Sequence, residues 1–327
     1  MALLMDVLPE KVRDWAPMLS GGTHLWQQGQ LTPGQLAESG GHLVLLAEQL
    51  EKSALHHSLK ILDEEGVIVE VSGVKLVAER DLLSLRLSAW SPALKARLQA
   101  VADGWDLACV PALPQADTMG LVLMDMDSTA IQMECIDEIA LLAGVGEEVA
   151  AVTRAAMEGA LPFSESLRRR VKALSGADAA IIEQVIARMP LMPGLITLVE
   201  GLKAMGWKVA LASGGFTPFT GHLQQTLGLD AAFANTLEIR DGRLTGEVLG
   251  DIVDAEAKAR ILVELAEQYD IPISQTVAIG DGANDLLMLA QAGLGVALHA
   301  KPLVQEKAPV CLNRLSLEGV LGLLQAR

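Results

Sequence analysis

The chain has 327 residues, of which 51% are hydrophobic and only 3% aromatic, so a core large enough for two domains must be filled by aliphatic side chains and methionine. Its 41 acidic and 25 basic residues leave a net charge of −16, and no dense run of lysine and arginine offsets it locally. That excludes the clustered positive surface a nucleic-acid partner requires, and the lack of any uninterrupted apolar run of about 18 residues excludes a helical membrane span.

The first residues, Met1 to Trp15, meet an acidic side chain at Asp6 and show no basic segment before a cleavage site, so they do not read as a secretory signal. After an irregular stretch rich in Gly and Gln, the apolar run Leu43 to Ala47 predicts a strand and Lys52 to Glu64 a helix. The β-branched run Val67 to Val71 predicts a second strand, and a third follows Ser72-Gly73. Ser91-Pro92 puts a capping hydroxyl and a proline where a helix begins, and Trp105 to Val110 closes as a strand. The order β-α-β-β-α-β predicts a small ferredoxin-like α+β domain over residues 1–112. Val110 to Gly120, with Pro111 and Pro114 among polar residues, has the composition of a linker. Cys109, Cys135 and Cys311 share no metal-ligand spacing and read as buried thiols in a reducing compartment, with the cytoplasm as the expected location. The six histidines share no spacing either and carry no assigned role.

Residues 113–327 change to an α/β pattern. Leu121 to Met124 is apolar throughout, as expected of a strand buried on both faces of a parallel sheet, and Val209 to Ala212, Val277 to Ile279 and Leu294 to Ala297 repeat the character. Arg240-Asp-Gly-Arg243 is a type I′ hairpin signal. From about residue 134 to 193 only helical stretches appear, such as Glu147 to Glu158 and Ser164 to Leu174, before Pro190 and Pro193-Gly194 end them. The expected architecture is a Rossmann-like parallel sheet carrying a helical cap inserted after its first strand.

Four polar clusters fall at the carboxyl ends of these strands or beside them. Asp125 and Asp127, two apart on extended chain, point to one side. Ala212-Ser213-Gly214-Gly215 offers a hydroxyl and glycines that let backbone N–H groups approach an anion. Lys258 lies on a helix after Asp254, and Gly280-Asp-Gly-Ala-Asn-Asp285 ends a further strand with two acids four apart. Each alone reads equally as a turn, a helix cap or a solvated lysine. Together they supply a carboxylate nucleophile, an anion cradle, a cation and a hard-metal site.

The set Asp125-x-Asp127-Ser-Thr, Ser213-Gly-Gly, Lys258 and Gly280 to Asp285 resembles the four motifs of the haloacid-dehalogenase-like (HAD-like) phosphotransferases. Asp125 to Glu134, Ala156 to Gly159 with Phe163 to Val171, and Val277 to Asp285 are similar to the phosphoserine phosphatase branch, and the likeness runs from Gly120 to Arg327. It implies Mg²⁺-dependent hydrolysis of O-phospho-L-serine, the last step of serine biosynthesis, through an aspartyl-phosphate on Asp125. A carboxylate approaching a phosphate dianion at about 4 Å faces roughly 8 kcal/mol of repulsion at an effective dielectric near 20, so such a site needs cations. The resemblance implies Mg²⁺ on Asp125, Asp281 and the Asp127 backbone carbonyl, supported by Asp285, with Lys258 as the second positive charge. It implies Asp127 as general acid and base, and Ser213, Gly214 and Asn284 as further phosphate partners beside Lys258.

In the cap, Glu134 matches the family's partner for the substrate ammonium and Arg170 its partner for the carboxylate, while Phe163 and Met157 match positions that exclude water. Read from residues alone, Arg170 belongs to the basic run Arg168 to Arg170 and would face solvent. Two other readings stand beside this one. A HAD enzyme acting on another small phosphomonoester would share every motif. The N-terminal element order also resembles ACT-type domains, which bind amino acids or mediate dimer contacts, and so leaves open a homodimer or an amino-acid-sensing protein.

Overall fold

The computed structural model describes residues 9–15, 23–157 and 161–326. After a short 3-10 helix at Val12–Trp15, the described residues form a hairpin, β1 (His24–Gln27) and β2 (Gln30–Pro33), followed by β3 (Gly41–Ala47), helix α1 (Lys52–Glu64), β4 (Val69–Val77), β5 (Arg80–Leu87), α2 (Pro92–Gln99) and β6 (Asp106–Val110). In α2, Ser91 accepts the Leu94 N–H at 3.0 Å and Pro92 takes the first turn, as its sequence predicts. Strands β6-β3-β5-β4 lie side by side and antiparallel, the ferredoxin-like arrangement.

Two features here differ from the sequence reading. The Gly- and Gln-rich start holds the β1–β2 hairpin, turned at Gln28 and Gly29 with φ of 48° and 78° and anchored by Trp26, whose indole donates to Asp63 at 3.2 Å. Ser72-Gly73 is not a turn: β4 runs through it with a register shift between Val71 and Val74, and the chain reverses instead at Ala78 and Glu79, both at positive φ.

The second unit begins with β7 (Leu121–Met124). Its four side chains are fully buried and alternate between two apolar clusters on opposite faces of the sheet, each worth about 1.5–3 kcal/mol of burial. An insert follows: α3 (Cys135–Ala143), α4 (Gly146–Met157), α5 (Phe163–Ala173) and α6 (Ala180–Ile186). Its two ends are tied where Gln132 donates to Pro190 at 2.9 Å and Met192 to Ala130 at 2.9 Å.

The chain then continues through α7 (Leu195–Ala204), β8 (Lys208–Phe216), α8 (Thr217–Leu227), β9 (Ala231–Arg240), β10 (Arg243–Leu249), α9 (Ala255–Gln268), β11 (Thr276–Gly280), α10 (Leu286–Gln291), β12 (Leu294–Leu298), α11 (Pro302–Lys307), β13 (Val310–Leu312) and α12 (Gly319–Leu324). Asp241 and Gly242 both take positive φ, as a type I′ turn requires, and the hairpin they close props the insert through Gly176 and Ala179. Strand β7 lies between β8 and β11, both parallel to it, so its carboxyl end opens on the crevice where the chain's winding reverses.

The two sheets are joined. Strand β13, parallel to β12, pairs antiparallel with β6 at Cys311 and Leu107, so one thirteen-stranded sheet crosses both units. Leu43, Leu45, Leu83 and Leu85 pack under α1 and α2, whereas Val44, Leu46 and Leu82 face the C-terminal helix α12. A Cβ on Gly322 would lie 2.5 Å from Leu46 Cδ2, which shows how closely α12 seats on the N-terminal strands. Asp106, buried at the seam, accepts backbone N–H groups from Asn313 (2.8 Å), Arg314 (3.1 Å) and Leu315 (2.7 Å). Of the three cysteines, Cys109 and Cys135 are buried free thiols, and Cys311 is only half-buried because it sits at this seam.

Candidate active site

Asp125 follows directly on β7, and its N–H donates to Ile279 of β11 at 2.9 Å, which fixes it beside the strand that delivers Asp281. Its Oδ1 accepts the Met126 N–H at 2.7 Å, and its Oδ2 meets Lys258 Nζ at 2.7 Å. Lys258 comes from the first turn of α9, which Asp254 caps by accepting the Ala257 N–H at 2.9 Å. The lysine is wholly buried, and its ammonium also donates to Asp285 Oδ1 at 2.7 Å. Asp285 Oδ2 accepts the Gly282 N–H at 3.0 Å. A Cβ at Gly280 would overlap the Asp285 carboxyl group, so glycine is required there.

Asp127 Oδ1 accepts the N–H of Cys135 at 3.2 Å, and Asp281 accepts Thr129 Oγ1 at 3.2 Å. Ser213 Oγ accepts the Gly215 N–H at 2.9 Å. Asn235 braces this turn from β9, donating to the Gly214 carbonyl at 2.8 Å and accepting from Val253 at 2.9 Å. From the insert, the Phe163 ring lies over Gly214, where a Cβ would stand 2.8 Å from Cζ.

Asp125, Asp127, Glu134, Phe163, Arg170, Gly214, Asp281 and Asn284 all line one cleft of about 890 Å³ between sheet and insert. Ser213, Lys258 and Asp285 lie buried behind it. Glu134 precedes α3 and accepts Ser128 Oγ at 2.8 Å, with Ser128 held at φ 55°. Arg170 points inward rather than to solvent; it lines the cleft and its Nε is buried with no partner among the described residues. Met157 ends α4, but its side chain lies outside the described residues, as does the rest of the run to Gly159. Asp137, Asn235 and Lys301 are cleft or bracing residues the sequence did not single out. Asp137 sits one turn beyond Glu134, a spacing that places it on the same helix face.

Burial, and then the neighbouring Glu134 carboxylate, push the Asp127 pKa up to about 7 against its bond from Cys135. Burial, Asp285 and Glu134 raise Asp281 to about 6. Burial and Asp285 raise Asp125 well above the usual carboxylate range, with Lys258 opposing them. For Lys258, burial disfavours the charge, yet Asp125 and Asp285 hold its pKa above the ordinary lysine value. Burial also raises Glu134 and lowers Arg170, the latter opposed chiefly by Asp137.

Carboxylate oxygens of Asp125, Asp281 and Asp285 lie within 4.8 Å of one another. Asp285 is already committed to Lys258 and Gly282, which leaves Asp125 and Asp281 as an all-oxygen pair suited to a hard divalent cation. Without such an ion, stability should fall as pH rises from about 4 to 7. Across that range the unfolded carboxylates have ionised while Asp127 and Asp281 still hold protons in the fold, so the unfolded state binds fewer protons. Thermal unfolding in EDTA should give a higher Tm at pH 5 than at pH 8, Mg²⁺ should recover the loss, and Asp127→Asn should shrink it. A metal-free Tm that climbs between these pH values would contradict the burial argument.

A family model described as haloacid dehalogenase-like hydrolase matches residues 119–293. A phosphoserine phosphatase of Vibrio cholerae is 57% identical over 221 residues, 68% of this chain and 67% of that one. Another, from Haemophilus influenzae, is 46% identical over 289 residues, 88% of this chain and 90% of that one. The chain belongs to the phosphoserine phosphatase family of HAD-like hydrolases. The likeness to this family extends to the N-terminal unit: the crystal structure of an unliganded probable phosphoserine phosphatase from Vibrio cholerae superposes with a TM-score of 0.74 at 44% identity, covering 89% of this chain and 88% of that one. Among the described residues no helix is long and apolar enough to cross a membrane.

Proposed function

We propose that the chain hydrolyses O-phospho-L-serine to L-serine and phosphate with Mg²⁺ as cofactor. The observation that carries the reading is one cleft holding a lysine-paired carboxylate, a second carboxylate two residues on, and a separate Glu134–Arg170 pair of opposite charges. Phosphate, ammonium and carboxylate of phosphoserine each find a partner of opposite sign there.

In this reading Asp125 attacks phosphorus and forms the aspartyl-phosphate. Lys258, held by two carboxylates, offsets the repulsion between that carboxylate and the phosphate dianion. Asp125, Asp281 and the Asp127 carbonyl would hold Mg²⁺, which supplies the further positive charge the encounter needs. Ser213, the Gly214 N–H and Asn284 bind the phosphoryl oxygens, and Asp285 orients Lys258. Asp127, with its pKa near 7, gives a proton to the departing serine oxygen and later takes one from the hydrolytic water. Glu134 takes the ammonium and Arg170 the carboxylate, while Phe163 and Met157 close the pocket to water.

The same reading assigns catalysis to residues 113–327, with the insert at about 134–193 as the specificity cap, and an accessory ACT-like role in a cytoplasmic homodimer to residues 1–112. Phosphate release from a panel of small phosphomonoesters, with and without Mg²⁺, tests it. Phosphoserine should lead the panel and EDTA should abolish turnover reversibly; full activity in metal-free buffer, or indifference to the substrate amino group, would sink the reading. Glu134→Ala should cost phosphoserine turnover on the order of 2–5 kcal/mol, the cost of unpairing a desolvated charge, and cost an ester without an ammonium far less. Equal losses on both would assign Glu134 to cap structure instead.

A further inference from the structure

Among the described residues, seven carboxylate side chains line the cleft against two cationic ones, Arg170 and Lys301. Lys258 is buried behind the wall and neutralised by its two carboxylates, so it offers little to an anion still outside. Arg170 rides on the insert helix α5, whereas Lys301 rides on the sheet unit, in the turn before α11. The Lys301 carbonyl accepts the N–H groups of Val304 (2.9 Å) and Gln305 (3.0 Å), which fixes its backbone. Its side chain is exposed and forms no ion pair among the described residues. Its charge is also felt, weakly, at the Glu134 carboxylate, which lines the same cleft. On a chain of net charge −16, a phosphomonoester dianion approaches this cleft against a negative potential.

We propose that Lys301 is a substrate-capture residue, drawing anionic phosphomonoesters into the cleft and setting their affinity without touching the bond that breaks. The proposal rests on the phosphatase reading given above. With its backbone held by those two bonds and its exposed side chain in no ion pair among the described residues, the ammonium can meet an incoming anion at the mouth and release it to the fixed donors within. A group that acts only on encounter and affinity changes KM and its salt dependence and leaves kcat alone.

Steady-state kinetics of the full chain with Mg²⁺, across ionic strengths from about 0.01 to 1 M, test this, since the screening length falls over that range from about 30 to 3 Å. Lys301→Met should raise KM for phosphoserine about fivefold at the low end and converge on the parent value at the high end, with kcat unchanged. Lys301→Glu should do more, and Lys301→Arg should restore the parent behaviour. Lys60→Met, on α1 far from the cleft lining, removes the same charge and should move neither KM nor its salt slope. An unaltered KM and salt slope in Lys301→Met would overturn the proposal, as would a fall in kcat with KM unchanged. If the parent chain released no phosphate from phosphoserine, the phosphatase reading would fail first, and the same salt series with an aryl phosphate would still decide the part played by Lys301.

Discussion

Asp125→Asn should release no phosphate from any substrate and carry no phosphoryl group, because an amide oxygen cannot form the acyl-phosphate. Asp127→Asn should behave differently. It keeps the nucleophile and its bond to Lys258 but loses the group that donates and then removes a proton. Phosphoserine leaves as a poor alkoxide, so its turnover should fall by about 10²–10⁴, the usual value of general acid–base help. An activated aryl phosphate needs little protonation and should still phosphorylate Asp125, after which hydrolysis lacks its base. The aspartyl-phosphate should therefore accumulate on the Asp127 variant alone, visible by mass spectrometry of an acid-quenched digest as a phosphoryl group on the peptide holding Asp125. A label on Ser128, Ser213 or a histidine would overturn the mechanism while leaving the fold untouched.

Lys258→Met should damage the fold as well as catalysis. The ammonium sits fully buried 2.7 Å from both Asp125 and Asp285, and a thioether of similar length leaves two buried carboxylates facing each other without a counter-charge. Breaking a buried pair in this way costs about 3–5 kcal/mol. Asp125, which burial and Asp285 already raise, would lose the charge that opposes that rise, so the loss should be largest above neutral pH and shrink as pH falls toward the unfolded carboxylate value. Adding Asp285→Asn removes one of the stranded charges and should return much of the stability, yet none of the activity. Urea unfolding of the single and double variants at pH 5 and 8 would show it; a single variant as stable as the parent at pH 8 would mean that the lysine is not the counter-charge of this pocket.

Much of the architecture was legible because its signals are local. An apolar run such as Leu121 to Met124, ended by Asp125, reads as a buried strand with chemistry at its tip, and the Asp241-Gly242 turn carries its own φ requirement. The β1–β2 hairpin escaped because Gln28-Gly29 is a weak turn signal and the strand's main anchor, Trp26, is held by Asp63 from a distant helix. Ser72-Gly73 misled for the opposite reason: glycine within a strand marks a bulge as readily as a turn. In the cleft, acids and glycines at strand ends could be read from spacing, whereas Asn235 on β9 and Lys301 before α11 gain meaning only when α/β winding brings them to the same end of the sheet. Arg170 shows the limit of composition, since a basic triplet on a helix says nothing of which member turns inward.

The pairing of β6 with β13 bears on how the molecule is made. On the ribosome the N-terminal unit emerges before the rest and can form its six antiparallel strands, but β6 keeps an open edge and the Val44–Leu46–Leu82 face stays uncovered. Their partners, Val310 to Leu312 and the helix Gly319–Leu324, leave the exit tunnel only after every strand of the parallel core from β7 to β12. Throughout elongation the nascent chain therefore carries an unpaired strand beside an oily face, the combination that recruits chaperones or neighbouring nascent chains. Premature stops just after Lys307 should leave every catalytic side chain in the polypeptide and still yield aggregates.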